Sequence, residues 1–186
     1  MKDIIENAKK WALEEIEKSG SPSLLLFKTS NEKGQELAEK SGVDKDIVLI
    51  GTILMDIKLG QAVKEGKTQE HLGMSVEAVK KWLKDITLEE DKKKKIINCV
   101  EAHHGQEYEC KEAEICANAD CYKFLIPKNV IATICNLTKK RMNFEEATTL
   151  IKNKIEEKYK VLSLDICKQE LEENYQLLKK LFVRLE

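Results

Sequence analysis

The sequence predicts an all-α protein, and three observations carry that expectation. Apolar residues recur at helical spacing along almost the whole chain. Breakers are scarce, with 2 Pro and 8 Gly in 186 residues, too few for a hairpin-rich fold. Charged residues make up 35% of the chain, which suits long helices that each keep one solvated face. The length fits a single domain over residues 1–186, with enough chain to bury a core.

The elements follow in order. Residues 2–18 form an opening helix with Ile5, Ala8, Ala12 and Ile16 on one face. Ser21-Pro22 signals the next start, since Pro fits the first helical position; this second helix runs to about Lys40 and ends at Ser41-Gly42. A third spans Asp44 to about Gly60, and a fourth Thr68 to about Ile86. Thr87-Leu88-Glu89-Glu90 reads as a capping box opening a helix that carries Ile96, Ile97 and Val100 and stops at Gly105. A helix from Lys111 to Leu125 is ended by Pro127. Three more lie near 129–139, 144–160 and 164–185, the second capped by Asn143 with Glu146 three residues on, the third by Ser163. The stripe Leu171, Leu178, Leu181, Phe182 and Leu185 of the last helix packs on the chain's own core or, alternatively, forms a homodimer seam.

Charge and composition exclude several classes. Lys and Arg total 32 and Asp and Glu 33, a formal net charge of −1, so nothing argues for nucleic acid or an anionic membrane surface as partner. The longest nearly apolar run, Val48 to Met55, is too short to span a membrane. Asp3, Glu6, Glu14, Glu15 and Glu17 are not the residues of a secretory signal. A cytoplasmic location is the expectation, with the six cysteines as free, mostly structural thiols. Lys92 to Lys95 follows Glu89, Glu90 and Asp91 and reads as a solvated helix face, and Trp11 and Trp82 read as core.

Three helices place an ionisable group where packing wants an apolar one. Asp56 lies at the end of the apolar stretch Val48 to Ile57. A buried carboxylate must be paired, protonated or bound to a metal. Asp120 falls on the face through Ala113, Cys116, Ala117 and Phe124. The chain has 3 histidines: His103 and His104 flank the inward stripe after Val100, and His71 opens its helix. Helix ends are where side chains of several helices can meet, and Asp with neutral imidazole is the usual ligand set for Mg, Mn, Fe, Ni or Zn. The plainer alternatives are a hydrogen-bonded Asp and histidines that cap a helix through its dipole.

The order of these segments resembles the HD-domain phosphohydrolases. Glu36 to Asp44 followed by Ile53-Leu54-Met55-Asp56-Ile57 is similar to the stretch ending in that family's His-Asp pair. Glu70-His71-Leu72-Gly73-Met74-Ser75 is similar to its His-x-x-x-Ser segment, Glu101-Ala102-His103-His104-Gly105 to its later His pair, and Glu112 to Asp120 to its closing Ala-Asp. The match covers roughly residues 21–126, leaving 1–20 as an N-terminal helix and 129–186 as a C-terminal helical extension. The resemblance implies an all-α, HD-like helical bundle holding a divalent metal. Two family ligands are missing, since Met55 stands in the His-Asp pair and Leu26 falls where the first His belongs. Carried over, Asp56, His71 and His103, with His104 as a further donor, form one metal position, and Asp120 remains from the other.

The resemblance therefore implies a metal-dependent phosphohydrolase acting on a small phosphorylated molecule or nucleotide. In it, Asp56 would hold the ion, Asp120 would orient or deprotonate the water, and Lys58 would neutralise phosphate charge. The alternative it leaves open is a catalytically degenerate HD-like domain that binds a ligand or a protein.

Overall fold

Ten α-helices and one 3₁₀ turn build the molecule in the computed structural model, which describes residues 1–140 and 142–184; no strand occurs among the described residues. They are α1 Lys2–Ser19, α2 Leu24–Ser41, α3 Lys45–Leu54, α4 Leu59–Lys64, the 3₁₀ turn Thr68–Glu70, α5 His71–Lys84, α6 Glu90–Glu101, α7 Lys111–Leu125, α8 Pro127–Lys140, α9 Phe144–Val161 and α10 Asp165–Val183. No helix among the described residues is long and apolar enough to cross a membrane.

Helix α7 is the axis. It packs against α2, α3, α6, α8, α9 and α10, and its residues are buried nearly all round, with Phe124 half-buried. A helix so enclosed brings even its polar residues into the interior: Glu112, Asn118, Asp120 and Lys123 are all buried. Helix α3 lies beside it with Ile47, Val48, Ile50, Ile53 and Leu54 in the core. Gly51 permits that closeness, because a Cβ there would stand 2.5 Å from Cys99 Cβ and 2.8 Å from Cys116 Sγ. The missing side chain lets α3 sit directly on α6 and α7.

Several boundaries differ from the sequence expectation, each for a local reason. Helix α2 begins at Leu24, because the Ser23 hydroxyl accepts the Leu26 N–H at 3.3 Å. The expected single helix from Asp44 to Gly60 breaks after Leu54. There Ile57 N and Leu59 N bond to carbonyls three residues back, while Lys58 N donates to Ser75 Oγ at 3.2 Å. Thr68 opens only the 3₁₀ turn. The capping box at Thr87 is absent: Glu89 is the N-cap, without a side-chain bond, and Glu90 is already the first helical residue. Ser163 does not cap α10 either. Its hydroxyl donates to Glu114 at 2.6 Å and accepts from Asn118 at 2.8 Å, tying the α9–α10 junction to α7. Pro127 both ends α7, through extended Ile126, and opens α8 at its first position.

Other expectations hold. Asn143 and Glu146 form a complete capping box. Lys92, Lys93 and Lys95 pair with Glu89, Glu90 and Asp91. Trp11 and Trp82 are half-buried, with ring centroids 6.0 Å apart. Leu171, Leu178 and Phe182 of α10 are buried within the chain while Leu181 is exposed; Leu185 lies outside the described residues. Each of the cysteines is a free thiol, and four of them are buried.

Candidate metal centre

The break after α3 decides where chemistry can occur. It puts Asp56 in a turn at the helix end, facing the start of α5, the turn after α6 and the middle of α7. His71 is the first residue of α5. His103 and His104 lie just past the end of α6, in a turn closed by the Gly105 N–H to Ala102 carbonyl bond. Asp120 and Lys123 stand one turn apart on α7, and α9 contributes Glu157 and Lys158.

The outer nitrogen of each imidazole is already committed. His71 Nδ1 lies 2.7 Å from the Thr68 carbonyl and His103 Nδ1 2.6 Å from the Val100 carbonyl. A carbonyl can only accept, so in the neutral rings Nδ1 donates and Nε2 carries a lone pair. His104 Nδ1 lies 3.1 Å from Glu157 Oε1 and also 3.1 Å from Lys158 Nζ. A carboxylate only accepts and an ammonium only donates, so these two contacts hold the ring in place without fixing its tautomer. Burial pushes His104 below its ordinary value against the opposing pull of Glu157, and it does the same to His71 against the opposing pull of Asp56.

Three imidazole nitrogens converge. One donor nitrogen from each of His71, His103 and His104 lies within 4.8 Å of the others, and the Nε2 atoms of His71 and His104 are 3.2 Å apart. Asp56 Oδ1 faces them, 3.6 Å from His103 Nε2 and 3.9 Å from His71 Nε2, too long for hydrogen bonds. His103 Nε2 is buried without any hydrogen-bond partner. Such an orphan costs about 1–3 kcal/mol unless something binds it, and the group most suited to several inward imidazole lone pairs and a carboxylate is a divalent cation. Outer partners holding Nδ1 while Nε2 faces inward is the usual support of a metal-bound histidine. These residues fit a metal.

The other oxygens of the carboxylates face lysines. Lys123 Nζ is 2.6 Å from Asp56 Oδ2 and 2.7 Å from Asp120 Oδ1, and Lys158 Nζ is 2.6 Å from Asp120 Oδ2. Burial opposes ionisation of all four groups, yet each charge is sustained by its neighbours. Asp56 is held well below the usual carboxylate range chiefly by Lys123, and Asp120 by Lys123 and Lys158, while both lysines are raised by their carboxylates.

Two expected roles change accordingly. Asp120 comes near the group, but both its oxygens accept from ammonium ions, so it is a weak base. Lys58 does not face Asp56: its ammonium pairs with Glu15 at 3.4 Å and lies 5.9 Å from the Trp11 ring centroid. The cluster brings together Asp56, His71, His103 and His104. Sequence reasoning missed Lys123, Lys154, Glu157 and Lys158. A signal existed for Lys158, which continues the buried stripe Ala147, Ile151 and Ile155 of α9, and for Lys123, one turn beyond the inward Asp120.

A cavity of about 260 Å³ opens beside the cluster, lined by Asp56, His71, His104, Lys123, Lys154 and Lys158 among its polar groups and by Leu26, Leu59, Val63, Phe124, Leu137 and Ile151 among its apolar ones.

No family model matches the chain, and no curated protein matches it. Solved structures do. One is an HD-superfamily hydrolase from Bacillus thuringiensis, with TM-score 0.69 and 16% identity over 99% of this chain and 95% of that one. Another is YpgQ of Bacillus subtilis, with TM-score 0.68 and 14% identity over 99% and 94% of the two chains. The chain shares its all-α, HD-domain-like fold with these structures, the first of which is described as an HD-superfamily hydrolase. Leu26 borders the cavity and Met55 is fully buried; both side chains are apolar, and Met is a poor ligand for a hard cation.

Proposed function

We propose that the protein is a metal-dependent phosphohydrolase whose divalent ion is held by Asp56, His71, His103 and His104 and whose substrate is a small phosphorylated molecule or nucleotide. The single observation that carries this reading is the orphaned, fully buried Nε2 of His103, aimed with two further imidazole nitrogens at one point beside Asp56. When bound, such an ion supplies Lewis-acid polarisation of a phosphoryl oxygen and lowers the pKa of water.

The chain's own residues prepare that chemistry. Asp56, His71 and His104 all reach the cavity wall, so the open side of the centre faces the space a substrate would enter. Thr68, Val100 and Glu157 fix the imidazole orientations. Lys154, at the cavity wall and 2.7 Å from Glu157, brings positive charge to where phosphoryl oxygens would lie. The apolar lining receives the uncharged part of a substrate and excludes water from around the charges.

Turnover of p-nitrophenyl phosphate and of nucleoside phosphates, with and without Mn²⁺, tests the reading. Activity that needs the ion and is lost in Asp56→Ala supports it. Equal turnover by wild type and Asp56→Ala overturns it.

A second reading, a non-catalytic HD-like domain that binds a phosphorylated ligand or a protein, is favoured by Lys123, which fills the space between Asp56 and Asp120. Tight binding of a phosphorylated ligand by metal-free protein, without turnover when Mn²⁺ is added, would select it.

A further inference from the structure

The buried charges form a continuous chain, Asp56–Lys123–Asp120–Lys158, with separations of 2.6, 2.7 and 2.6 Å. The Lys123 and Lys158 side chains are 3% and 1% exposed and that of Asp120 4%, so water contributes little to their charge balance. Two carboxylates meet two ammonium groups, and the set is neutral without any added ion. Asp56 is the only member with an oxygen to spare: Oδ2 goes to Lys123, while Oδ1 faces His71 and His103.

We propose that Lys123 is a built-in cation of this centre: its ammonium occupies the seat that the facing oxygens of Asp56 and Asp120 would offer a divalent ion, so the centre takes one ion, on the imidazole side of Asp56, and folds without one. The inference rests on the metal reading above. A divalent ion between the same oxygens would lie at about 2.0–2.2 Å from each, in nearly the space Nζ fills, and against its charge at a separation where repulsion is strong. Leu26 and Met55 add no oxygen or nitrogen donor from their side chains, so in this chain the two carboxylates and the ammonium between them make up the seat. Lys158 keeps the second oxygen of Asp120 occupied, so Asp120 cannot swing toward the histidines without abandoning a buried ammonium. The lysine thus does for the two carboxylates what a metal would otherwise do, neutralising them and fixing their separation, but it brings no exchangeable ligand position.

Counting bound ions in the intact chain tests this, by titration calorimetry with Mn²⁺ and elemental analysis after desalting, beside thermal melts in EDTA. Wild type is expected to bind one Mn²⁺ per chain and to stay folded in EDTA. Lys123→Met, which keeps bulk but removes the charge, is expected to melt well below wild type in EDTA, or to be unfolded there, and to recover on Mn²⁺ addition while binding two ions. Zero ions in wild type removes the metal reading itself. Two ions in wild type, one ion in a folded Lys123→Met, or a Lys123→Met chain that Mn²⁺ fails to restore overturns the assignment of Lys123.

Discussion

Asp56 divides its two oxygens between Lys123 and His103: Oδ2 lies 2.6 Å from the ammonium, and Oδ1 lies 3.6 Å from the unpartnered Nε2 of His103. One carboxylate thus joins a closed ion-pair chain to an open set of imidazoles. The closed half is satisfied by groups of the chain itself; the open half is not.

The open half predicts a ligand effect. His103→Ala should weaken Mn²⁺ or Zn²⁺ binding by more than the roughly 10–100-fold that loss of a supporting residue costs at a metal centre, with helical content unchanged. Calorimetric titration beside circular dichroism checks this. Unaltered affinity would place the ion elsewhere.

The closed half predicts a stability effect. Lys158→Met leaves Asp120 Oδ2 buried without its ammonium, and breaking a buried pair from one side costs about 3–5 kcal/mol. For a domain of this size that corresponds to a melting temperature lower by roughly 6–20 °C. Lys92→Ala, which breaks only the exposed 3.4 Å pair with Glu89, should cost less than about 1 kcal/mol. Thermal melts of the two variants side by side measure the contrast.

Acid should release the same energy. Asp120 is held below its ordinary value near 3.8, so its folded form binds a proton less readily than the unfolded chain does. Its contribution is complete above that value and is lost as pH falls from there toward the lower folded value. Unfolding free energy followed by urea titration should therefore drop below about pH 4 more steeply in wild type than in Asp120→Asn, which has no carboxylate to protonate. Parallel acid limbs would contradict this.

Packing gives a fourth expectation. Gly51→Ala puts a Cβ at 2.5 Å from Cys99 Cβ, and overpacking of this kind costs about 1–3 kcal/mol. Thermal melting should fall by roughly 2–12 °C, and because α3 carries Asp56 to the histidines, Mn²⁺ affinity should fall as well. A variant with unchanged melting and affinity would show that α3 is free to shift.

Much of this was legible in the sequence, for identifiable reasons. Helices α7 and α9 are bounded by clear signals, Pro127 and the Asn143–Glu146 box, and their expected limits lie within a residue of those observed. Asp56, His71, His103 and His104 stood out because each is ionisable and set in or beside an apolar stripe. The break after α3 was not legible, since the bond that accompanies it, from Lys58 N to Ser75 Oγ, is a tertiary contact across 17 residues. Nor was the pairing of Lys123 with Asp56, which spans 67 residues. Lysine is abundant in this chain and reads as surface by default; only its place on an inward stripe distinguishes Lys123 and Lys158 from the solvated run at 92–95. Lys58, expected to neutralise phosphate charge, pairs with Glu15 of α1 instead, because proximity in sequence says nothing about which way a turn points.

The most direct measurement is anomalous diffraction at the zinc edge from crystals of the wild-type protein soaked in Zn²⁺. The account predicts a single strong peak per chain at about 2.0–2.2 Å from Nε2 of imidazoles among His71, His103 and His104 and from Asp56 Oδ1, with Lys123 still seated between Asp56 and Asp120. A peak between those two carboxylates with Lys123 displaced, or no peak beside the histidines at all, would contradict it.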